Sequence, residues 1–272
     1  MSHCRHSSSS RAGFSMVGML VTMACIAVLF AIMMTSLNKV TTGQGSQQEG
    51  TVRSMQDELN LYALYTSMAV HANDNKGEYL VPSEVANSKD NSLNTTANLF
   101  SAMVMQNYTP PHQLIAGNEY SGYVEEKTDY DSALYNPNKH IFWDPSFQAD
   151  LAKLSNTSYA HMPLFGERFR KQWKSTMDSM FPLVGNRGPK DGVSSTQSLA
   201  CGKNGIWGGH IAFGDGHIVF VNSATPSGVV FQRNGQNYAD NIFIMDDGAA
   251  GVDAILSFTR TMGRNGPELQ FD

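Results

Sequence analysis

His210, Asp215 and His217 fall close together in the run Gly208-Gly209-His210-Ile211-Ala212-Phe213-Gly214-Asp215-Gly216-His217-Ile218-Val219-Phe220-Val221. Two imidazoles and a carboxylate are ligands for zinc or another transition ion, or an acid–base set for hydrolysis. Cys201 adds a thiol that either histidine could activate as a nucleophile. The spacing works against both chemistries. His210 precedes the Gly-Asp-Gly turn, His217 follows it, and no remote third ligand can be named. Asp215 suits a tight turn because its side chain caps local amides. Nothing in the sequence orients a base toward Cys201. Gly202-Lys203 lacks the upstream glycine of a phosphate loop, and GxGxxG, HExxH and GxSxG are absent. The expectation is a chain with no catalytic residue, and an anchored hydrolase built on this region is the remote alternative.

These residues need a hairpin to hold them. Ile211 and Phe213 alternate before the turn, and Ile218 to Val221 continue after it, which is the clearest strand signal in the chain. Tyr238 to Phe243 predicts another strand, Asp246-Asp247-Gly248 a turn, and Ala254 to Phe258 a last strand or helical turn. Upstream, Asn87 to Asn98 reads as a polar loop with little reason to pack. Leu99 to Tyr108 reads as a helix stopped by Pro110-Pro111, and Ile141-Phe142-Trp143 as a short strand. Phe165 to Phe181 carries Arg168, Arg170, Lys171 and Lys174 among aromatic residues, a solvated face beside core aromatics. A long helix starts at about Gln47. Val52, Met55, Leu59, Tyr62, Thr66 and Ala69 recur at steps of three and four, widened by Leu61, Tyr65 and Met68, and this stripe is expected to pack on a sheet. Asp57, Glu58 and Asn60 lie largely off it. His71 to Gly77 supplies Asn and Gly for a left-handed cap.

The chain of 272 residues has a net charge of −5, a pI near 5.9 and only 16% charged residues. Mild acidity without a Lys/Arg cluster argues against a nucleic-acid partner. Plentiful Phe, Tyr, Leu and Met argue against disorder. Cys4, Cys25 and Cys201 leave one cysteine after the first forty or so residues, so no disulfide forms within the head. From Phe14 to Leu37 there is no Asp, Glu, Lys or Arg. As a helix this run measures about 35 Å, enough to cross a bilayer with some tilt. The polar stretch before it carries Arg5 and Arg11 and stays cytoplasmic by the positive-inside rule. Three readings compete: a secretory signal peptide, for which the run is too long; a plain single-pass anchor; and one that turns on the Gly13-Phe14 junction placed ahead of the apolar run.

The sequence Arg11-Ala12-Gly13-Phe14-Ser15 and the apolar run after it resemble the N-terminal signal of the type IV pilin and type II secretion pseudopilin superfamily. The stretch Tyr65 to Tyr79 resembles the helix end of the large bacterial pilin-like proteins, and Gly208 to Val221 the hairpin near their end. The resemblance covers residues 1–80 and part of the head. It implies an α+β, pilin-like fold in which a long N-terminal transmembrane helix packs on a C-terminal head with an antiparallel β-sheet. The implied division is a leader at 1–13, a helix at 14–72 and a head at 73–272. The membrane part of the helix is about 14–37, with a weak point at 41–46. The implied partners are the inner membrane, a prepilin peptidase and other pilin or pseudopilin subunits. The head would be extracytoplasmic on a single-pass protein. The peptidase would cut after Gly13 and methylate Phe14. Most members carry Glu at the fifth mature position, which is Gly18 here. A minor tip component and a divergent member that tolerates Gly18 both fit. Major pseudopilins hold Ca²⁺ in a C-terminal loop, which makes Asp240, Asp246, Asp247 and Asp253 weak candidate ligands. Their spacing is not that of an EF-hand, and loop solvation is the competing reading.

Overall fold

The computed structural model describes residues 45–193, 207–233, 235–247 and 251–272. Gly13, Phe14, Gly18, Cys201, the leader and the apolar run lie outside the described residues. Among those described, no helix is long and apolar enough to cross a membrane. Residues 52–272 form one compact unit, and the first turns of the first helix belong to the unit before it.

That helix, α1, spans Gly45–Asp74. No Gly or Pro interrupts it after Gly50, and Leu, Met, Ala and Glu favour it locally. Its buried face is Asp57, Leu61, Leu64, Met68 and Ala72, at steps of four, three, four and four. The expected packing stripe is therefore corrected. Leu61 and Met68 are buried, but Met55, Leu59 and Tyr62 point to solvent with 59, 66 and 58% of their surface exposed. Steps of four, three, four and four from Met55 pass Leu59, Tyr62 and the exposed Thr66 to Val70, 48% exposed, so a second, largely apolar stripe runs opposite the packed one.

The helix ends as the sequence predicts. Gly77 N–H donates to Ala72 O at 2.8 Å, and Lys76 and Gly77 take φ of 58° and 88°. A Cβ at Gly77 would meet nothing within 4 Å, so only backbone strain opposes a substitution. Gly77→Ala is expected to cost about 1 kcal/mol, measured by urea unfolding; a neutral result would mean that the turn relaxes.

Short helices follow: α2 at Pro82–Val85 and α3 at Thr96–Met105. The stretch expected as a loose loop is ordered instead. Asn94 and Thr96 are buried, Asn94 Oδ1 accepts from Ser83 N at 2.9 Å, and Thr95 caps α3 by accepting from Asn98 N. Polar side chains there satisfy backbone groups rather than solvent. Ile141-Phe142-Trp143 forms no strand; Ile141 makes a lone bridge to Asn136. A minor ladder pairs β1 (Ala149–Asp150) with β2 (Leu154–Ser155).

The main sheet has four antiparallel strands in the order β3 (Tyr159–His161), β4 (Pro182–Asn186), β5 (Gly209–Phe213), β6 (Ile218–Val221). Helix α4, Gly166–Gln172, connects β3 to β4. Strand alternation divides the core. Ala212 joins the cluster of Leu61, Leu64, Met68, Phe100 and Trp173, while Ile211 and Phe213 join Phe243, Leu256 and Phe258 on the other face. Two hairpins complete the chain: β7 (Val230–Arg233) with β8 (Gln236–Ala239), and β9 (Phe258–Gly263) with β10 (Gly266–Gln270). The architecture is α+β with antiparallel sheets. The strand expected over Tyr238 to Phe243 ends at Ala239, and the last hairpin extends past the expected Ala254–Phe258 element.

Candidate functional site

Three features gather the chemistry. The first is a buried carboxylate on α1. Tyr159 pairs with Asn186 across β3 and β4, and Gly185 with Ile211 across β4 and β5, so Tyr159, Asn186 and His210 share one row of the sheet. Asp57, with none of its surface exposed, faces that row. Its Oδ1 accepts from Tyr159 Oη at 2.9 Å and Asn186 Nδ2 at 3.1 Å, and its Oδ2 from His210 Nδ1 at 2.7 Å. Asn186 Oδ1 takes the His210 backbone N–H at 2.6 Å. Burial, and then the charge of Asp57, raise the Tyr159 phenol well above its ordinary range, which keeps it a donor. Phe220 closes over the His210 ring edge-on at 5.2 Å. One carboxylate thus joins α1 to three consecutive strands. Asp57 is the Nδ1 partner of His210 and fixes the orientation of its ring.

The structure does not bring His217 to His210. His217 Nδ1 meets Asp215 Oδ1 at 2.5 Å within the turn, and its ring stacks on Phe213 at 4.5 Å. Gly216, with φ 88°, completes that turn against the Tyr65 ring. Asp215 caps the His217 N–H at 3.1 Å, the local role its residue type suggests.

The second feature collects the C-terminal aspartates around Arg168 of α4. Arg168 Nη2 donates to Asp247 Oδ1 at 3.0 Å and forms a short ion pair with Asp253. Asp247 Oδ2 accepts from Asp253 N at 3.0 Å and from Val252 N; Asp253 Oδ2 accepts from Asp246 N at 2.8 Å; Asp240 Oδ2 accepts from Ala254 N at 2.6 Å. Arg168, Asp240 and Asp253 are buried. Burial, with the hydrogen bond to Asp247, raises Asp253 to about 7 against the pull of Arg168. Burial raises Asp240 to about 6. Arg168 was legible only as one member of a basic stretch. Arg170 and Lys171 of that stretch are solvated and pair with Glu167 at 3.8 and 2.6 Å. Among the described residues, no three His, Cys, Asp or Glu side chains are arranged to hold a metal ion.

The third feature is the stripe Met55, Leu59, Tyr62 and Val70 on α1, which among the described residues leaves about half or more of each side chain's surface exposed. Monomer surfaces scatter single apolar side chains; here three of the four lie within two turns on one helix face. No protein-family model, curated protein or solved structure matches the chain.

Proposed function

We propose that this chain is a pilin-like or pseudopilin-like structural subunit of a type II secretion or type IV pilus-like assembly. A prepilin peptidase removes residues 1–13 and methylates Phe14. The apolar run to Leu37 holds the subunit in the inner membrane with the head outside the cytoplasm. Gly18 fits the tip position, which has no subunit ahead of it. The observation that carries this reading is the second stripe on α1. The head packs on the face of Asp57, Leu61, Leu64 and Met68, which leaves Met55, Leu59, Tyr62 and Val70 about half or more exposed. A lone membrane anchor has no use for that row. A helix that lines up with copies of itself does, because each copy removes the row from water.

The test combines processing with assembly. Purified mature protein is expected to begin at Phe14 with one added methyl group, read by mass spectrometry. Leu59→Lys should leave head stability within about 0.5 kcal/mol of wild type, yet abolish the oligomer ladder obtained by crosslinking in membranes. Intact Met1 beside a competent peptidase, or an undiminished ladder in the variant, would leave a single-pass anchored binding protein that does not polymerise.

A further inference from the structure

We infer that Arg168 is the built-in counter-ion of Asp247 and Asp253 and does there the work that a divalent cation would do. This holds for the head alone, whatever α1 assembles with. Four carboxylates in this region are oxygen donors of the kind Ca²⁺ takes. Two of them, Asp247 and Asp253, already converge on Arg168 Nη2. Each uses its other oxygen on a nearby backbone N–H, Asp247 on Val252 and Asp253, and Asp253 on Asp246, so the guanidinium holds side chains that themselves bind the backbone at 246 and 252–253. The Arg168 N–H adds a bond to Gly251 O at 2.5 Å, which fastens Gly251 to the first turn of α4.

The donor set does not fit a further cation. Arg168 Nε and Nη1 are buried without partners. Buried donors lacking acceptors call for an acceptor, and a second positive ion beside a desolvated guanidinium meets like-charge repulsion at low dielectric. Asp240, whose Oδ1 also has no partner, is committed through its other oxygen to Ala254 N.

The experiment uses the full chain purified in detergent, with thermal unfolding and amide exchange of peptides covering 251–256 as readouts. Wild type is expected to unfold at the same temperature, within about 1 °C, in EDTA and in millimolar CaCl₂, as a protein that binds no stabilising ligand does. Arg168→Gln is expected to lower the midpoint by roughly 10 °C and to remove exchange protection at 251–256, because it strands buried carboxylates. Millimolar CaCl₂ should then recover part of that loss in the variant alone. Should Arg168→Gln not accumulate, Arg168→Gln/Asp253→Asn, which removes charge from both sides, must restore folding. The inference is overturned by a wild type that EDTA destabilises, by Arg168→Gln with full protection, by a loss that CaCl₂ leaves untouched, or by a double variant that also fails to fold.

Discussion

Asp57→Ala is expected to destabilise the head by about 3–5 kcal/mol, enough to move a urea midpoint far outside experimental error. The size comes from what is left behind. Tyr159 Oη, Asn186 Nδ2 and His210 Nδ1 all donate to that one carboxylate, and all three residues are buried. With the acceptor gone, each donor keeps its desolvation cost and loses its bond. Asp57→Asn should cost less, because its carbonyl oxygen can still serve one or two donors while its amide opposes the His210 N–H. A loss below about 1 kcal/mol for Asp57→Ala would mean that water replaces the carboxylate and that the helix is held by Leu61, Leu64 and Met68 alone.

The second large effect is a pH dependence. His161 is fully buried, and burial lowers its pKa from 6.5 to about 4. The surrounding bonds explain how it stays neutral. Its Nδ1–H donates to Met162 O at 2.7 Å, so Nε2 is an acceptor and takes the Thr96 hydroxyl at 2.9 Å; Thr96 Oγ1 in turn accepts Thr259 N–H at 2.7 Å. A proton on Nε2 would place a charge in a fully buried site and force the Thr96 hydroxyl to turn its hydrogen away. The folded value lies below the unfolded one, so the unfolded chain takes up the proton first as the medium turns acidic. Stability from this group is complete above about pH 6.5 and is lost as the pH falls toward 4, a change of about 3 kcal/mol. Asp253 and Asp240 slope the opposite way. Raised to about 7 and about 6, they contribute most below their unfolded values and lose that contribution as the pH rises toward their folded ones. The comparison that isolates His161 is therefore wild type against His161→Gln, by urea unfolding across pH 4 to 7. The variant should be weaker at neutral pH but should lack the acid-side slope. Parallel curves would show that His161 titrates normally.

The parts legible in the sequence were those governed by neighbours in the chain. The turn Gly214-Asp215-Gly216 and the alternation around it gave β5 and β6, and Asn75 to Gly77 gave the end of α1. The side of α1 that packs was not legible. Apolar residues fill two opposite faces of that helix, and periodicity alone cannot say which face meets a sheet. The decisive clue is Asp57, in phase with Leu61, Leu64 and Met68 but off the stripe that Met55, Leu59 and Tyr62 define; carboxylates are seldom buried unpaired, so its residue type does not mark the packed face. Its partners lie 102, 129 and 153 residues away, beyond the reach of any local pattern. Arg168 was hidden similarly, since its neighbours Arg170 and Lys171 are solvated while it turns inward to Asp247 and Asp253. The His210, Asp215 and His217 set came apart because strand alternation sends His210 toward α1 and leaves His217 in the turn.

Because Asp57 meets the side chains of β3, β4 and β5 at one depth, tension drawn along α1 is divided among three strands side by side. No single strand receives the whole load at its end, where a sheet peels open most easily. The joint resembles a rivet through three plates more than a hinge at the edge of one.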